Sequence, residues 1–211
     1  MYRIRKFIEK ARRWWADHVV PHRNDFDSAY KLINQVPGYL KSPMQERWFF
    51  NTARNAPDGA VIVEIGSFLG RSTVSFALGC KGTAKHVYAI DLFEGDGDMY
   101  GQGDFQERFR LHVRLCEVES YVTDIRSHSL TVAKSWTHPI DILFIDGSHE
   151  YEDVKADFEA FFPLVKKGGI VAFHDIKGKW TGVIRYWDEV QRAGRLARCG
   201  TVSSLGFGYK K

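Results

Sequence analysis

Cysteine is scarce in this chain. Cys80, Cys116 and Cys199 are odd in number and show neither a CxxC pair nor a metal-ligand spacing. That argues against a disulfide framework or a zinc module and for three reduced thiols in a cytoplasmic protein. Long apolar runs are missing too. No stretch approaches the ~20 residues of a bilayer span. The opening MYRIRKFIEKARRWWADHVV is charged throughout and lacks the apolar core of a signal peptide. Charge of one sign is also lacking: 30 Lys and Arg against 26 Asp and Glu give a net +4, too little to imply nucleic acid. There is no internal repeat, no low-complexity tract and no GxGxxG dinucleotide fingerprint.

What remains is a chain of 211 residues with 44% hydrophobic and 14% aromatic side chains, enough for one ordinary core and a short extension. Residues 3–20 read as a basic amphipathic helix, with Ile4, Phe7, Ile8, Ala11, Trp15 and Val19 on one face. Such a face packs on the domain or on a second copy of the chain. The alternative is a peripheral contact with anionic lipid. PHRND breaks this pattern, and a further helix is expected from about Gln45 to Ala56, closed by PDG.

From there strand and helix alternate. AVIVEI (60–65), HVYAID (86–91), a weaker SYVTDI, IDILFI (140–145) and GIVAFH (169–174) are strand-like, and helical segments lie between them. The last of these helices carries Tyr151, Val154, Phe158, Phe161 and Phe162 at helical spacing and ends near Pro163. The pattern predicts an α/β fold with a parallel sheet covered on both faces.

Two segments carry chemistry. In VEIGSFLGRST (63–73) a strand ends, Gly66 opens a tight turn, and Gly70 allows close approach before a helix. Phe68 stands where a pyrophosphate-binding turn needs glycine, so the turn suits a ligand without a pyrophosphate. Asp91 closes the next strand, where an acid can take ribose hydroxyls. The second segment is IDGSHEYEDVKADFEAFFPLVKKGGIVAFHD (145–175). One strand runs into Asp146, Ser148, His149 and Glu150, the next into His174 and Asp175. Right-handed crossovers bring both strand ends to one rim.

These segments resemble the class I S-adenosylmethionine-dependent methyltransferases, in the small bacterial branch near the macrocin- and caffeoyl-CoA-type O-methyltransferases. The likeness covers about residues 45–208. It implies a Rossmann-like, doubly wound, seven-stranded, mostly parallel sheet with a C-terminal antiparallel hairpin that includes GTVSSLGFGY. Residues 1–44 are then a helical extension and 45–211 the methyltransferase domain. By the same resemblance Glu64, Gly66, Ser67, Phe68 and Gly70 wrap the methionine part of S-adenosylmethionine, and Ser72 reaches its carboxylate. Asp91 takes the ribose, with Ser127 and His128 near adenine.

Relatives of this branch bind magnesium after the fourth and fifth strands, which maps onto Asp146, His174 and Asp175. Such a set could hold Mg²⁺, but an imidazole in it suits Mn²⁺, Fe²⁺ or Zn²⁺ better. Some sugar methyltransferases carry an acid at the position of Ser148. Here the neighbouring His149 is the candidate base, acting with Asp146. The other reading of His149 is a helix-start residue behind a Ser148 cap. Asp153 and Asp157 read as solvated helix acids.

The leading function is O-methylation of a small hydroxylated acceptor, a sugar or another metabolite, with help from a divalent metal. The alternatives are a hydroxylase-like or catalytically silent protein of the same fold, a nicotinamide oxidoreductase, and a membrane-surface binding module.

Overall fold

Among the described residues, each short apolar run named above is a strand of one sheet, and helices lie between these strands. The computed structural model describes residues 23–40, 42–95 and 103–211. The helix expected over residues 3–20 and most of the Gly- and Asp-rich loop at 94–104 lie outside the described residues. In chain order the elements are α1 (Arg23–Ile33), α2 (Pro43–Asn55), β1 (Val61–Ile65), α3 (Arg71–Cys80), β2 (His86–Asp91), α4 (Phe105–Leu115), β3 (Val122–Arg126) and α5 (Ser129–Ser135). β4 (Ile140–Ile145), α6 (Tyr151–Phe161), β5 (Val165–Phe173), α7 (Thr181–Arg192), β6 (Leu196–Val202) and β7 (Leu205–Lys210) follow.

The strand order is β3-β2-β1-β4-β5-β7-β6. The first five strands run parallel, and β7 is antiparallel to both β5 and β6. This is the doubly wound sheet with a C-terminal hairpin that the sequence implies. β3 read weakly because it is an edge strand whose residues are only partly buried or exposed. Pro163 falls in a 3₁₀ turn directly after α6, as its missing amide requires.

Along β4 the side chains alternate between two cores. Ile142 and Phe144 face α1–α4, while Leu143 and Ile145 face α6 and α7. α2 begins at Ser42, whose hydroxyl accepts from the Met44 amide at 3.2 Å, with Pro43 in its first turn. Its Phe49 is fully buried, with ring centroids 4.8 Å from both Phe76 of α3 and Phe144 of β4.

A helix not expected from the sequence begins within PHRND: α1 opens at Arg23, Asn24 and Asp25, and Asn and Asp suit a helix start. Phe26, Ala29 and Ile33 of α1 and Val36 after it are buried in the same core as α2 and α3. Among the described residues no helix is long and apolar enough to cross a membrane.

Phe49 joins a helix, its neighbour and the sheet, so Phe49→Ala should cost about 3–5 kcal/mol of unfolding free energy. Urea denaturation of both proteins measures the difference. A loss under ~1 kcal/mol would mean that α2 is not part of the cooperative unit.

Candidate functional site

At the carboxyl edge β1 runs into Gly66, whose amide donates to the Ile90 carbonyl at 2.9 Å. Gly66 has φ +83°, and a Cβ there would lie 2.4 Å from the Asp146 carbonyl oxygen. The ends of β1 and β4 therefore touch backbone to backbone, and only glycine fits. Phe68 is also left-handed, with φ 47°. Its ring lies 5.4 Å from Tyr39 and 5.5 Å from Phe105. Gly70, at φ +92°, leads into α3.

Asp91 clamps this turn. One carboxylate oxygen accepts from the Ser67 and Phe68 amides at 2.7 and 2.8 Å, the other from the Phe93 amide at 2.6 Å. A carboxylate offers about four acceptor directions, so most of Asp91 is committed to the protein's own backbone. Glu64 supports the turn from behind. It is fully buried and accepts from the hydroxyls of Ser67 at 3.1 Å, Ser72 and Thr73. The Ser72 hydroxyl is thus spent on Glu64. Burial pushes the Glu64 carboxyl up to about 7 against the pull of these hydroxyls, and Asp146 adds to the rise.

A cavity of about 280 Å³ opens beside the turn, with Gly66, Asp91, Ser127, His128 and Asp157 in its wall. The Ser127 amide donates to the Asp91 carbonyl at 3.1 Å, and His128 caps α5 by accepting from the Leu130 amide at 3.3 Å. Of the residues given to the cofactor, Gly66, Asp91, Ser127 and His128 line this cavity. Glu64, Ser67, Phe68, Gly70 and Ser72 form the turn and its support. Asp157 is not the solvated acid expected. It is buried and accepts from the Ser129 hydroxyl at 2.5 Å. Its place three residues after Val154 on the buried helix face was the available signal.

On the β4–β5 side, Asp146, His149 and Asp175 each bring one ligand atom within 4.8 Å of the others. Asp175 is left-handed, φ 54°, a conformation aspartate tolerates better than most residues. His149 Nε2 lies 3.2 Å from Asp175, and its ring stacks on Trp180 at 3.8 Å. Ser148 accepts from the Glu150 amide at 3.2 Å and donates to Asp153 at 2.8 Å, which holds the turn into α6.

His174 is turned inward. Its Nδ1 lies 3.1 Å from Asp146 and 3.5 Å from Asp175, and its Nε2 lies 3.1 Å from the Gln45 carboxamide. Burial opposes the His174 cation, but the two carboxylates outweigh it and push the ring up to about 10. Two carboxylates and an imidazole at this spacing suit a divalent cation that accepts mixed nitrogen and oxygen donors. His149 is in that group, and His174 stands behind it. Gln45 and Trp180 reach the site from distant or irregular segments, and no sequence motif marks them.

A seven-stranded 3-2-1-4-5-7-6 sheet with a nucleoside-sized cavity and acids at its carboxyl edge defines a Rossmann-like methyltransferase fold. The comparisons agree. A family model described as a methyltransferase domain matches residues 63–176, and the chain belongs to that family.

The chain is 31% identical to an uncharacterized protein of Sinorhizobium fredii over 139 residues, 61% of this chain and 15% of that protein. It is 26% identical to a probable caffeoyl-CoA O-methyltransferase of Dictyostelium discoideum over 143 residues, 65% of this chain and 52% of that protein. It thus spans about 15% of the first relative's length and about half of the second's. The crystal structure of an O-methyltransferase from Bacillus cereus in complex with SAH superposes with a TM-score of 0.64 at 17% identity. That superposition covers 94% of this chain and 96% of that one.

A carboxyl raised by burial destabilises the fold in its ionised form. Its share of stability is fully present below the unfolded value of 4.5 and is lost as pH rises through about 7. Glu64→Gln removes this titration and keeps the volume. Wild type should therefore lose roughly 3 kcal/mol relative to the variant between pH 4.5 and 8. Denaturant unfolding across that range tests it, and parallel curves for the two proteins would refute it.

Proposed function

We propose that this protein transfers a methyl group from S-adenosylmethionine to a hydroxyl of a small polar acceptor, a sugar or another hydroxylated metabolite, beside a divalent cation. The observation that carries the reading is one of place. The turn of a methyltransferase domain and the Asp146–His149–Asp175 group meet at the Gly66–Asp146 contact. A methyl donor held on one side of that contact would face an acceptor oxygen held on the other, and alignment of this kind supplies much of the rate in a displacement reaction.

In this reading the cavity holds the nucleoside, with Asp91, Ser127 and His128 in its wall, and residues 66–70 follow the methionine part. Asp146, His149 and Asp175 would hold the cation, which when bound supplies a lowered pKa for the acceptor hydroxyl. The acceptor oxygen bonds to the methyl carbon as the carbon–sulfur bond breaks, and the hydroxyl proton leaves to a base or to water. A cation-free reading has its own support in the 3.2 Å pair of His149 and Asp175. There a carboxylate orients an imidazole that takes the proton.

Calorimetry should show S-adenosylhomocysteine binding in the micromolar range, on the order of −8 kcal/mol. Asp146→Asn should keep that affinity and lose Mn²⁺-stimulated methyl transfer to a panel of hydroxylated acceptors. Absence of cofactor binding would refute the methyltransferase reading. Full activity of the variant in chelator would leave the His149–Asp175 base reading.

A further inference from the structure

α2 is an aromatic helix, with Trp48, Phe49 and Phe50 all buried, yet its first turn buries Gln45 at 0% exposure. An amide in such a place costs free energy unless it is hydrogen-bonded, and an apolar side chain would pack there at no such cost. The Gln45 carboxamide meets His174 Nε2 at 3.1 Å and the Ser204 hydroxyl at 3.1 Å. The other nitrogen of that ring lies between Asp146 and Asp175, at 3.1 and 3.5 Å.

We propose that Gln45 is a positioning residue for the cation site. It fixes the His174 ring, and through the ring it sets the two carboxylates. The inference rests on the cation reading above. It extends that reading to residues before the matched family segment of 63–176.

Besides Gln45 and the two acids, the ring meets the Ser204 hydroxyl, 3.5 Å from Nε2 and itself held by Gln45, and the Phe144 ring at 6.4 Å. The His174 amide donates to the Ile145 carbonyl at 3.0 Å, which fixes the backbone but not the imidazole plane. The plane follows from what its two nitrogens meet. α2 itself is anchored at this point, because Glu46 accepts from Arg71 Nε at 2.5 Å at the start of α3. Neighbouring buried residues on one helical turn thus hold the two halves of the site. Gln45 reaches His174, whose other nitrogen meets the acids, and Glu46 reaches the helix that follows the cofactor turn. Outer partners of this kind orient the groups that touch a metal, and their loss weakens metal binding about 10–100-fold.

The test uses full-length protein saturated with S-adenosylhomocysteine and titrated with Mn²⁺ alone, with free Mn²⁺ read by electron paramagnetic resonance. Gln45→Met keeps the length and removes the hydrogen bond, and should weaken Mn²⁺ binding about 10–100-fold. Gln45→Glu gives a ring protonated at Nε2 an acceptor in place of the wild-type amide donor, and Mn²⁺ affinity should stay well inside the loss seen for Gln45→Met. Affinity for S-adenosylhomocysteine should be unchanged in both. Wild-type Mn²⁺ affinity in Gln45→Met would overturn the proposal alone. So would a joint loss of Mn²⁺ binding, cofactor binding and thermal stability that Gln45→Glu does not rescue, because that marks a packing role. Absence of Mn²⁺ binding in the wild type would overturn the cation reading and this one with it.

Discussion

The ends of β1 and β4 lie so close at Gly66 that a single methyl group would overlap the Asp146 carbonyl. β1 has β2 on one side and β4 on the other, so the chain leaves the two strand ends in opposite directions and a crevice opens between them. The glycine turn occupies the β2 side and the acids the β4–β5 side. Their separation is therefore fixed by backbone contact rather than by flexible side chains. Ser67 and Phe68 keep their positions because Asp91 takes their amides, and Glu64 gathers the hydroxyls beneath.

Holding such a site requires several polar groups in places where water cannot reach them. Glu64, Gln45, Glu46, His174 and Asp175 are all buried. Each would be a liability alone, and the fold offsets the cost by joining them to hydroxyls, a guanidinium and one another. The aromatic layer beneath α2 and α3, centred on Phe49, Phe76 and Phe144, supplies the apolar burial that makes these ionisable groups affordable. The same helix, α2, presents its aromatic side chains to the sheet and its first polar turn to the site. Stability and function are linked through one element.

Much of the fold was legible because its signals are local. The parallel strands show as apolar runs such as ILFI (142–145), since both of their faces are covered. Gly66 and Gly70 mark a turn. Where the local signal was equivocal the reading failed. No helix was expected between PHRND and Gln45, yet residues 23–33 form α1 because Phe26, Ala29 and Ile33 find a core. Asp157 looked solvated because one residue does not reveal how far around a helix the buried face extends.

The sequence by itself determined the order of the parallel strands, the glycine turn, and the arrival of Asp146, His149, His174 and Asp175 at one edge. These depend on backbone preferences and hydrophobic period within windows of a few residues. It did not determine which of the four side chains face one another. That was decided by the left-handed backbone of Asp175, by Trp180 stacking on His149, and by Gln45, 129 residues from His174 in the chain, drawing its ring inward. Side-chain direction at a strand end is set by neighbours that only the packed structure supplies.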